Sequence, residues 1–478
     1  MRSKHLLYLV FGLLLTFQCR TATHIHTPKA ETQTPLDKYV HTVHPAFQWE
    51  VKATIPGEGY TTYAIRFVSQ HWLTTEEVNE TEWWHWLTVT VPDGVKSNTS
   101  MLFIGGGNRQ RNTPDKPDAM MLQAALATQT VTAALHGVPN QKLTFKNDPF
   151  GPREEDEIIS YGWRKFLEGG AQEKDAIWLA RLPMTTAAVR ALDVLQQFSQ
   201  QQLPVKLEQF VISGASKRGW TTWTTGAVDK RVIGIAPIVI DLLNLQPSFQ
   251  HHWRAYGRWA PAVEDYDREG IMEWQGSKEY AKMLQWVEPF AYRDRLIMPK
   301  MIINATGDQF FLPDSWQYYW KELKGEKHLR YVPNSEHSMR QTDAVESLIS
   351  SYQYLVDGRP RPEFDFSVEG DQLKITTQQG FKPASIQLWS VNNPDARNFM
   401  VDVIGRNWKA AEIPLQANGR YSIPLPSPAK GWTAYFAELT FQDGSKIPLK
   451  LSTGVVVRPD TYPHEAFVSK SPKGQRGK

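Results

Sequence analysis

The chain has 478 residues, which at roughly 100 to 200 residues per domain corresponds to two or three domains and excludes a small disulfide-stapled module. Lys and Arg total 53 against 50 Asp and Glu, and Arg2, Lys4 and Arg20 in an acid-free stretch account for the excess, so the charge does not indicate a nucleic-acid partner. The composition, 41% hydrophobic and 22% charged, is that of a globular protein, and its 18 Trp, 17 Tyr and 21 Phe suit a thick core or a site for flat, apolar ligands.

The first residues have the pattern of a secretory signal peptide. Positive charge at Met1 to Lys4 precedes an apolar run from Leu6 to Phe17, which is shorter than the about 20 residues of a membrane span. We expect residues 1–23 to be removed and the mature protein to be periplasmic or secreted. Lipid attachment at Cys19 is disfavoured because Thr16-Phe17-Gln18 lacks the small residues that lipoprotein signals place before the cysteine.

The next part of the chain, residues 36–357, predicts an α/β domain. Two alternating segments between Phe47 and Ser69 predict an antiparallel pair of strands, and Trp86 to Val91 predicts a third strand. From Met101 strands alternate with helices, which is typical of a parallel sheet covered on both faces. The predicted elements are strand Met101–Ile104, helix Ala119–Ala127, strand Val131–Leu135, helix Met184–Gln200, strand Phe210–Ser213, helix Lys217–Val228, strand Val232–Ile240, strand Lys300–Thr306 and a helix ending near Leu355.

Residues 242–298 interrupt this pattern between two strands and are rich in aromatic side chains. An insertion of this length predicts a helical cap over the carboxyl edge of the sheet, and we expect most of its aromatic side chains to form its own core.

The C-terminal part predicts an all-β domain. Prolines between Gly358 and Pro362 predict an extended linker. Residues 361–458 then show strands with turn signals at Asn418-Gly419 and Asp443-Gly444, a pattern typical of a β-sandwich in which each turn joins a hairpin. Residues 459–478 are basic, and we expect them to form a disordered tail.

Ser216 is the candidate nucleophile. It follows a predicted strand and precedes a predicted helix, as a serine on a strained strand-to-helix turn does, and Gly214 provides the small residue that such a turn needs. The pattern departs from G-x-S-x-G because Arg218 stands two positions after the serine and Gly219 comes one position late. The structural alternative is a serine that caps the following helix and contributes about 1 kcal/mol of stability.

Asp308 and His337 are the candidate acid and base. Each follows a predicted strand, and the order Ser, Asp, His is that of sheet enzymes with this layout. Asp241 is the fallback acid, and Asp314 has the position of a helix N-cap. His328 is the rival base, but it precedes its strand and therefore belongs to the opposite edge of the sheet.

Backbone N–H groups of Lys217, Gly106 and Gly107 are the candidate oxyanion hole, the alternative being an ordinary run of turn glycines. The cationic side chains at Lys217 and Arg218 either add positive potential or lie in solvent. The acidic run from Glu154 to Glu157 predicts a solvated helix start, or a group that holds an amine if it lines the cleft.

No cofactor or metal is expected. The adjacent pair His251-His252 is interpreted as structural, because neighbouring residues point apart on a helix and no further ligand motif accompanies them.

The motifs TPLDKYV (34–40), FIGGGN (103–108), SGASKRGWTTW (213–223), PIVIDLLN (237–244) and TGDQFFLPDSW (306–316) occur in order along the chain. In these motifs the chain resembles the PhoPQ-activated pathogenicity-related family of exported bacterial proteins. The resemblance implies an α/β-hydrolase lineage with Ser216, Asp308 and His337 at the matching positions. It also implies an envelope or secreted setting and a link to virulence through resistance to host antimicrobial peptides.

The sequence therefore predicts an α/β-hydrolase fold with an aromatic cap and a C-terminal β-sandwich. The first functional hypothesis is an exported serine hydrolase that cleaves an ester or amide bond of a small-molecule or peptide substrate. The second is a catalytically inactive protein on the same scaffold that binds or sequesters a peptide or glycan, since a fold alone does not decide activity.

Overall fold

The computed structural model describes residues 33–42, 44–109 and 112–476. The predicted signal peptide, including Cys19, lies outside the described residues. Within these ranges, no helix combines the length and the apolar character that crossing a membrane would require.

The larger part of the chain folds around a mixed sheet with helices on both faces. Its strands are β1 (Gln48–Gly57), β2 (Tyr60–His71), β3 (Glu82–Pro92), β4 (Thr99–Ile104), β5 (Val131–Leu135), β6 (Gln209–Ala215), β7 (Val232–Ile238), β8 (Lys300–Ala305) and β9 (Lys327–Val332). Its helices are α1 (Pro35–Val40), α2 (Ala119–Thr128), α3 (Asp156–Glu168), α4 (Arg181–Gln202), α5 (Lys217–Val228), α6 (Leu245–Tyr256), α7 (Glu264–Arg268), α8 (Lys278–Val287) and α9 (Ala344–Val356).

The strand order of this sheet is β1-β2-β3-β5-β4-β6-β7-β8-β9. The first three strands are antiparallel to one another and β3 is antiparallel to β5, whereas β5, β4 and β6 to β9 are all parallel. An exchanged pair β5-β4 between an antiparallel edge and a parallel run is the α/β-hydrolase fold, as predicted. The parallel strands are buried on both faces, which is why their sequences are rich in apolar residues.

Two apolar cores lie on the two faces of the sheet. On one face α4 and α5 contribute Leu192, Phe198 and Trp223. On the other face α2 and α9 contribute Met121 and Tyr352. Because the middles of these strands are buried between the two cores, the candidate residues Ser216, Asp308 and His337 lie beyond the strand ends.

The C-terminal part is a two-sheet β structure. Its elements are β10 (Phe364–Glu369), β11 (Gln372–Thr377), β12 (Ser385–Asn393), α10 (Val401–Ile404), β13 (Lys409–Glu412), β14 (Arg420–Pro424), β15 (Trp432–Phe441), β16 (Leu449–Ser452) and β17 (Val456–Arg458). One sheet has the order β10-β11-β14, and Leu373, Ile375 and Ile423 from it share a core with Leu439 and Leu451 of the other sheet.

The larger of these sheets continues the central sheet. Its order is β16-β15-β12-β13, and β16 pairs with β9 through Ser452 and Leu329. The same apolar cluster includes Leu373 of the β part and Leu348 of α9, so the two parts share one core.

The prediction that Asn418-Gly419 joins a hairpin is wrong. The strands on its two sides lie in different sheets, because β13 pairs with β12 and β14 pairs with β11. The turn is nevertheless present: the Asn418 side chain accepts the N–H of Arg420 and Gly419 has φ +66. The local turn signal therefore predicted the turn correctly but not which strands pair. The second signal, Asp443-Gly444, does connect the antiparallel pair β15 and β16.

The predicted cap lies between β7 and β8 and contains α6, α7 and α8. Half of its aromatic side chains are buried, fewer than the majority that was expected; they are Phe249, Trp274, Tyr280, Phe290 and Tyr292. The cap starts at the carboxyl end of β7 and thus lies at the edge of the sheet where Ser216, Asp308 and His337 are found.

The prediction of a disordered tail is wrong as far as the described residues extend. The Phe467 ring contacts Trp253 and Trp259 of the cap at centroid distances of 4.8 and 5.0 Å. Further along, the Lys278 N–H donates to the Gln475 carbonyl at 2.8 Å. The tail stays on the cap because it supplies an aromatic side chain and backbone acceptors to it, which its basic composition did not reveal.

Candidate active site

Ser216 lies on a sharp turn between β6 and α5. Its φ of +57° and ψ of −125° are unfavourable for a residue with a side chain and cost on the order of 1 to 3 kcal/mol. The N–H of Ser216 donates to the Ile238 carbonyl at 2.8 Å, which holds the turn against β7. The residue occupies the N-cap position, but its side chain makes no capping hydrogen bond, so the interpretation as a helix cap is wrong.

The turn needs small residues at Gly214 and Gly219. A Cβ on Gly214 would lie 2.7 Å from the Arg218 carbonyl oxygen, and one on Gly219 would lie 2.9 Å from Ile240 Cγ2 and 3.0 Å from the Gly214 carbonyl oxygen. The close packing of helix on strand therefore falls on the third residue after the serine. This is the physical reason for the departure from G-x-S-x-G, and it leaves position 218 free to carry a long side chain.

Asp308 and His337 form a hydrogen-bonded pair. The imidazole Nδ1 lies 2.8 Å from Asp308 Oδ2 and 3.0 Å from Oδ1. The carboxylate is 3% exposed, and its Oδ1 also accepts the N–H groups of Phe310 and Phe311 at 2.7 and 3.2 Å. The Phe310 ring packs on the imidazole at a centroid distance of 4.2 Å. The imidazole is thus held from its Nδ1 side and on one face.

The register of the parallel strands brings the three candidates to one edge of the sheet. Ala215 is opposite Ile238, Ile238 is opposite Ile303, and Ala305 is opposite Val332, so β6, β8 and β9 end at nearly the same level. Ser216 follows β6 directly, Asp308 follows β8 and His337 follows β9. This is the edge at which open α/β sheets bind ligands.

The alternative acid and base are engaged elsewhere. Asp241 accepts the hydroxyl groups of Tyr319 and Tyr331 at 2.6 and 2.5 Å, and burial raises its pKa to about 8 although both hydrogen bonds favour the charged form. His328 is buried at the start of β9 and donates from Nε2 to the Pro362 carbonyl at 2.9 Å. Neither residue contacts the Asp308–His337 pair through a hydrogen bond shown for the described residues.

Asp314 is not the helix cap that its position suggests. Its side chain makes no capping bond to the 3₁₀ turn that follows and instead lies 2.8 Å from His251 Nε2 and 2.5 Å from Arg397 Nη2, in a fully buried cluster. The carboxyl is buried, but the charges of Arg397 and His251 outweigh burial and lower its pKa. His252 accepts the Ala260 N–H at 3.0 Å. The two histidines therefore make structural contacts, and among the described residues no three His, Cys, Asp or Glu side chains converge as a metal site would require.

The glycine loop after β4 is fixed by its carbonyl groups. The Gly105 carbonyl accepts the Val138 N–H at 3.2 Å, and the Gly106 carbonyl accepts the Gly137 N–H at 2.9 Å. Because C=O and N–H point in opposite directions in a trans peptide, the N–H groups of Gly106 and Gly107 are directed away from the segment that follows β5. That direction is the side of β4 on which β6 and Ser216 lie.

The N–H of Lys217 belongs to the first turn of α5. The Ser216 carbonyl in the same peptide accepts the Trp220 N–H at 3.0 Å, so the Lys217 N–H points out of the helix N-terminus. The N–H groups of Lys217, Gly106 and Gly107 are thus not used by the hydrogen bonds that hold their own peptide carbonyls.

The cationic side chains beside the nucleophile do not lie in solvent. Lys217 Nζ lies 2.9 Å from Glu155 and 2.8 Å from Asp156, and Arg218 Nη2 lies 2.6 Å from Glu155. Burial disfavours the charge on Glu155, but the charges of Lys217 and Arg218 outweigh it and lower the pKa of this carboxyl to about 2. The acidic run thus does hold an amine, but the amine belongs to the chain itself. The signal for this contact was the coincidence of an acidic run with two cations next to the nucleophile.

The C-terminal part contacts both loops that carry the acid and the base. The Gly307 carbonyl, next to Asp308, accepts the Val401 N–H at 3.0 Å. In the loop that leads to His337, the Asn334 side chain donates to the Trp408 carbonyl at 3.1 Å and accepts the Trp408 N–H at 2.9 Å. Sequence reasoning missed these contacts because no local signal marks them.

A model of the PhoPQ-activated pathogenicity-related protein family matches residues 36–400. Autocrine proliferation repressor protein A of Dictyostelium discoideum is 35% identical over 457 residues, covering 90% of this chain and 91% of the relative.

Two solved acetyl xylan esterases have a similar course of the chain. The enzyme from Paenibacillus sp. R4 is 15% identical, and the match covers 69% of this chain and 96% of that enzyme. Acetyl xylan esterase 1 from Thermoanaerobacterium sp. JW/SL YS485 is 11% identical, and the match covers 67% of this chain and 92% of that enzyme. Both TM-scores are 0.47, so the strand order of this chain itself, and not these likenesses, defines its fold.

Proposed function

The chain belongs to the PhoPQ-activated pathogenicity-related protein family, and we propose that it is an exported serine hydrolase with Ser216 as nucleophile, His337 as base and Asp308 as the acid that orients the base. The observation that carries the proposal is the pairing of His337 with the buried Asp308 at the sheet edge where Ser216 is held in a strained turn. Strain of this kind persists when the surrounding structure imposes it, and it occurs chiefly at functional sites.

The reaction follows from these roles. Ser216 Oγ attacks the carbonyl carbon of an ester or amide while His337 Nε2 takes the hydroxyl proton, and Nδ1–H donates to Asp308, which stabilises the imidazolium. The carbonyl oxygen becomes an oxyanion that the N–H groups of Lys217, Gly106 and Gly107 are placed to bind. The C–O or C–N bond then breaks, and the leaving alcohol or amine takes the proton from His337. Water, deprotonated by His337, releases the acid from Ser216 in the same way.

The setting of this activity follows from the N-terminal pattern and the family. Export through the predicted signal, residues 1–23, would place the enzyme in the periplasm or outside the cell, where it meets small-molecule esters and peptides. A peptidase or esterase there is compatible with a role in virulence and in resistance to antimicrobial peptides.

The name of one relative favours a second candidate function. A repressor of proliferation exerts a signalling effect, which a binding protein on a hydrolase scaffold can produce without turnover. In that case the protein would sequester a peptide or glycan.

A fluorophosphonate probe separates the two functions, because it reacts covalently with an activated serine. We expect the purified wild-type protein to be labelled and Ser216→Ala to be unlabelled, with Ser213→Ala, a buried serine on β6, as the matched control that keeps its label. Absence of label on folded wild-type protein would contradict the hydrolase and favour the binding protein.

A further inference from the structure

Arg218 connects the nucleophile turn to the glycine loop. Its side chain is 12% exposed and leaves α5 toward Gly106, where a Cβ would lie 2.5 Å from Arg218 Nη2. Its Nε donates to the Val138 carbonyl at 2.5 Å, and its Nη2 donates to Glu155 at 2.6 Å. One guanidinium therefore contacts the loop after β4, the loop after β5 and the start of α3.

The glycine loop is held from two sides by these contacts. The segment Gly137–Val138 donates its N–H groups to the carbonyls of Gly105 and Gly106. The Val138 carbonyl, at the other end of that segment, accepts from Arg218. The position of the glycine loop relative to α5, and hence to Ser216, therefore depends on the guanidinium that fills the space between them.

Glu155 anchors the guanidinium in turn. It has φ +54° and ψ −124° at the N-cap of α3 without making a capping bond, which is nearly the backbone conformation of Ser216. Its carboxylate also accepts the Gln141 amide at 2.7 Å, and Gln141 donates to the Gly107 carbonyl at 3.0 Å. Glu155 is therefore a strained residue that holds the glycine loop from two sides. Its carboxylate accepts from Arg218 and from Gln141, and Gln141 in turn binds Gly107.

We propose that Arg218 is a positioning residue that sets the distance between the glycine loop and the nucleophile turn, so that the N–H groups of Gly106 and Gly107 align with that of Lys217. The inference rests on the proposed function, because alignment of these donors matters only if an oxyanion forms at Ser216. A planar guanidinium suits this task because it makes several hydrogen bonds in fixed directions, which the flexible ammonium of lysine cannot do. Position 218 thus carries, in place of the last glycine of G-x-S-x-G, a side chain that holds the neighbouring loop.

The contact between Gly106 and Arg218 allows a double-mutant cycle. Gly106→Ala would place a methyl group against Nη2 and displace the guanidinium, whereas Arg218→Ala removes the three atoms nearest to that methyl, all of which belong to the guanidinium. If both changes act through the position of one loop, their effects on the activation free energy are not additive, and the two fold-changes in rate do not multiply. If Arg218 only balances the charge of Glu155, the effects of the two changes multiply.

The cycle is measured on the full chain by the second-order rate of fluorophosphonate labelling and by kcat and KM for p-nitrophenyl acetate. We expect Arg218→Ala to lower the labelling rate and kcat by about 10- to 100-fold, since loss of one oxyanion donor costs on the order of 100-fold or more, with KM within about twofold. Arg218→Lys is expected not to restore the rate, and Gly106→Ala is expected to change the rate of the Arg218→Ala protein by less than about twofold.

Arg164→Ala is the matched control, because Arg164 is also a partly buried, ion-paired arginine, bound to Glu269 at 2.5 Å, and it does not contact the nucleophile turn. We expect its labelling rate to equal that of the wild type. Labelling of Arg218→Ala at the wild-type rate, or effects of Gly106→Ala and Arg218→Ala that multiply, would overturn the inference. If Arg218→Ala does not fold, Arg218→Lys and Gly106→Ala carry the same test. Unlabelled wild-type protein would instead overturn the proposed function.

Discussion

Two buried aspartates follow β8, and they have different partners. Asp308 binds the imidazole of His337, whereas Asp314 binds Arg397 and His251. We expect Asp308→Asn to lower kcat by on the order of 10³- to 10⁴-fold, because an amide stabilises the wrong imidazole tautomer, with little loss of stability. Asp314→Asn is expected to cost about 3 to 5 kcal/mol of unfolding free energy, because it leaves Arg397 as an unpaired buried charge.

The measurements for this pair are kcat with an activated ester and the free energy of unfolding from denaturant titration. A larger loss of turnover in Asp314→Asn than in Asp308→Asn would show that Asp308 is not the orienting acid.

Asp241 makes the stability of the protein depend on pH. Burial raises its pKa to about 8, whereas in the unfolded chain the carboxyl ionises near pH 3.9. Between about pH 4 and pH 8 the folded protein therefore binds more protons than the unfolded chain, and this group lowers the free energy of unfolding as the pH rises, by at most about 1.4 kcal/mol per pH unit. Asp241→Asn, which cannot ionise, is expected to reduce this slope.

The slope is measured by urea unfolding at several pH values between 5 and 8, with the exposed Asp365→Asn as control. Equal slopes in wild type and Asp241→Asn would mean that Asp241 is ionised in the folded protein.

The residues that carry the proposed chemistry could be proposed from the sequence because each lies in the loop or turn that follows a strand. Ser216, Asp308 and His337 have local signals, namely an apolar run before them and a turn around them. The acidic run signalled an ion pair, but it did not specify that Glu155 binds Arg218, because this contact joins residues that only the packing of α3 beside α5 brings together.

At the scale of elements, the tail covers the cap. Tyr462 Oη lies 2.8 Å from His251 Nδ1, and Phe467 packs on Trp253 and Trp259. We expect a chain that ends at Thr461 to exchange the amide hydrogens of α6 at least about tenfold faster, because removing these contacts lowers the free energy of local opening by about 1.4 kcal/mol or more.

Hydrogen exchange followed by mass spectrometry measures this effect on α6, with exchange in α4 as the internal reference. The control variant is Val468→Ser, since Val468 is 80% exposed within the tail. Unchanged exchange in α6 of the shortened chain would show that the tail does not stabilise the cap.

The elements themselves follow the sequence where a pattern is long and uniform. The limits of β5 and α5 agree with the predicted ones, because turn residues flank both elements. The tail has no such periodicity, and single aromatic side chains such as Phe467 gave no sign of where they would pack.

At the scale of the whole molecule, the C-terminal part belongs to the architecture of the candidate site. Strand β16 extends the central sheet beyond β9, and the segment around α10 contacts both loops that carry the candidate residues Asp308 and His337. The sequence predicted the sandwich but not this continuity, because pairing between Ser452 and Leu329 joins strands that are distant in the chain and have no local pattern for each other.

Asn334 tests whether the C-terminal part positions the base. It has φ +56°, a left-handed conformation that Asn tolerates better than most residues, and its amide makes two hydrogen bonds with the backbone of Trp408. Asn334→Gly keeps access to this conformation but removes both bonds. We expect it to lower kcat about tenfold with KM unchanged, because the loop that carries His337 loses its support and a small displacement of a catalytic group costs up to about 100-fold.

Asn334→Ala removes the same bonds and adds the cost of a left-handed alanine, about 1 to 2 kcal/mol, so it should lower the melting temperature further than Asn334→Gly while reducing kcat to a similar extent. The matched control is Asn147→Gly, since Asn147 also has a positive φ, of +62°, but lies in an exposed loop of the N-terminal part. Because the glycine and alanine variants share the lost contact and differ in backbone strain, the comparison separates positioning from stability. Wild-type kcat in Asn334→Gly would show that His337 keeps its place without the C-terminal part.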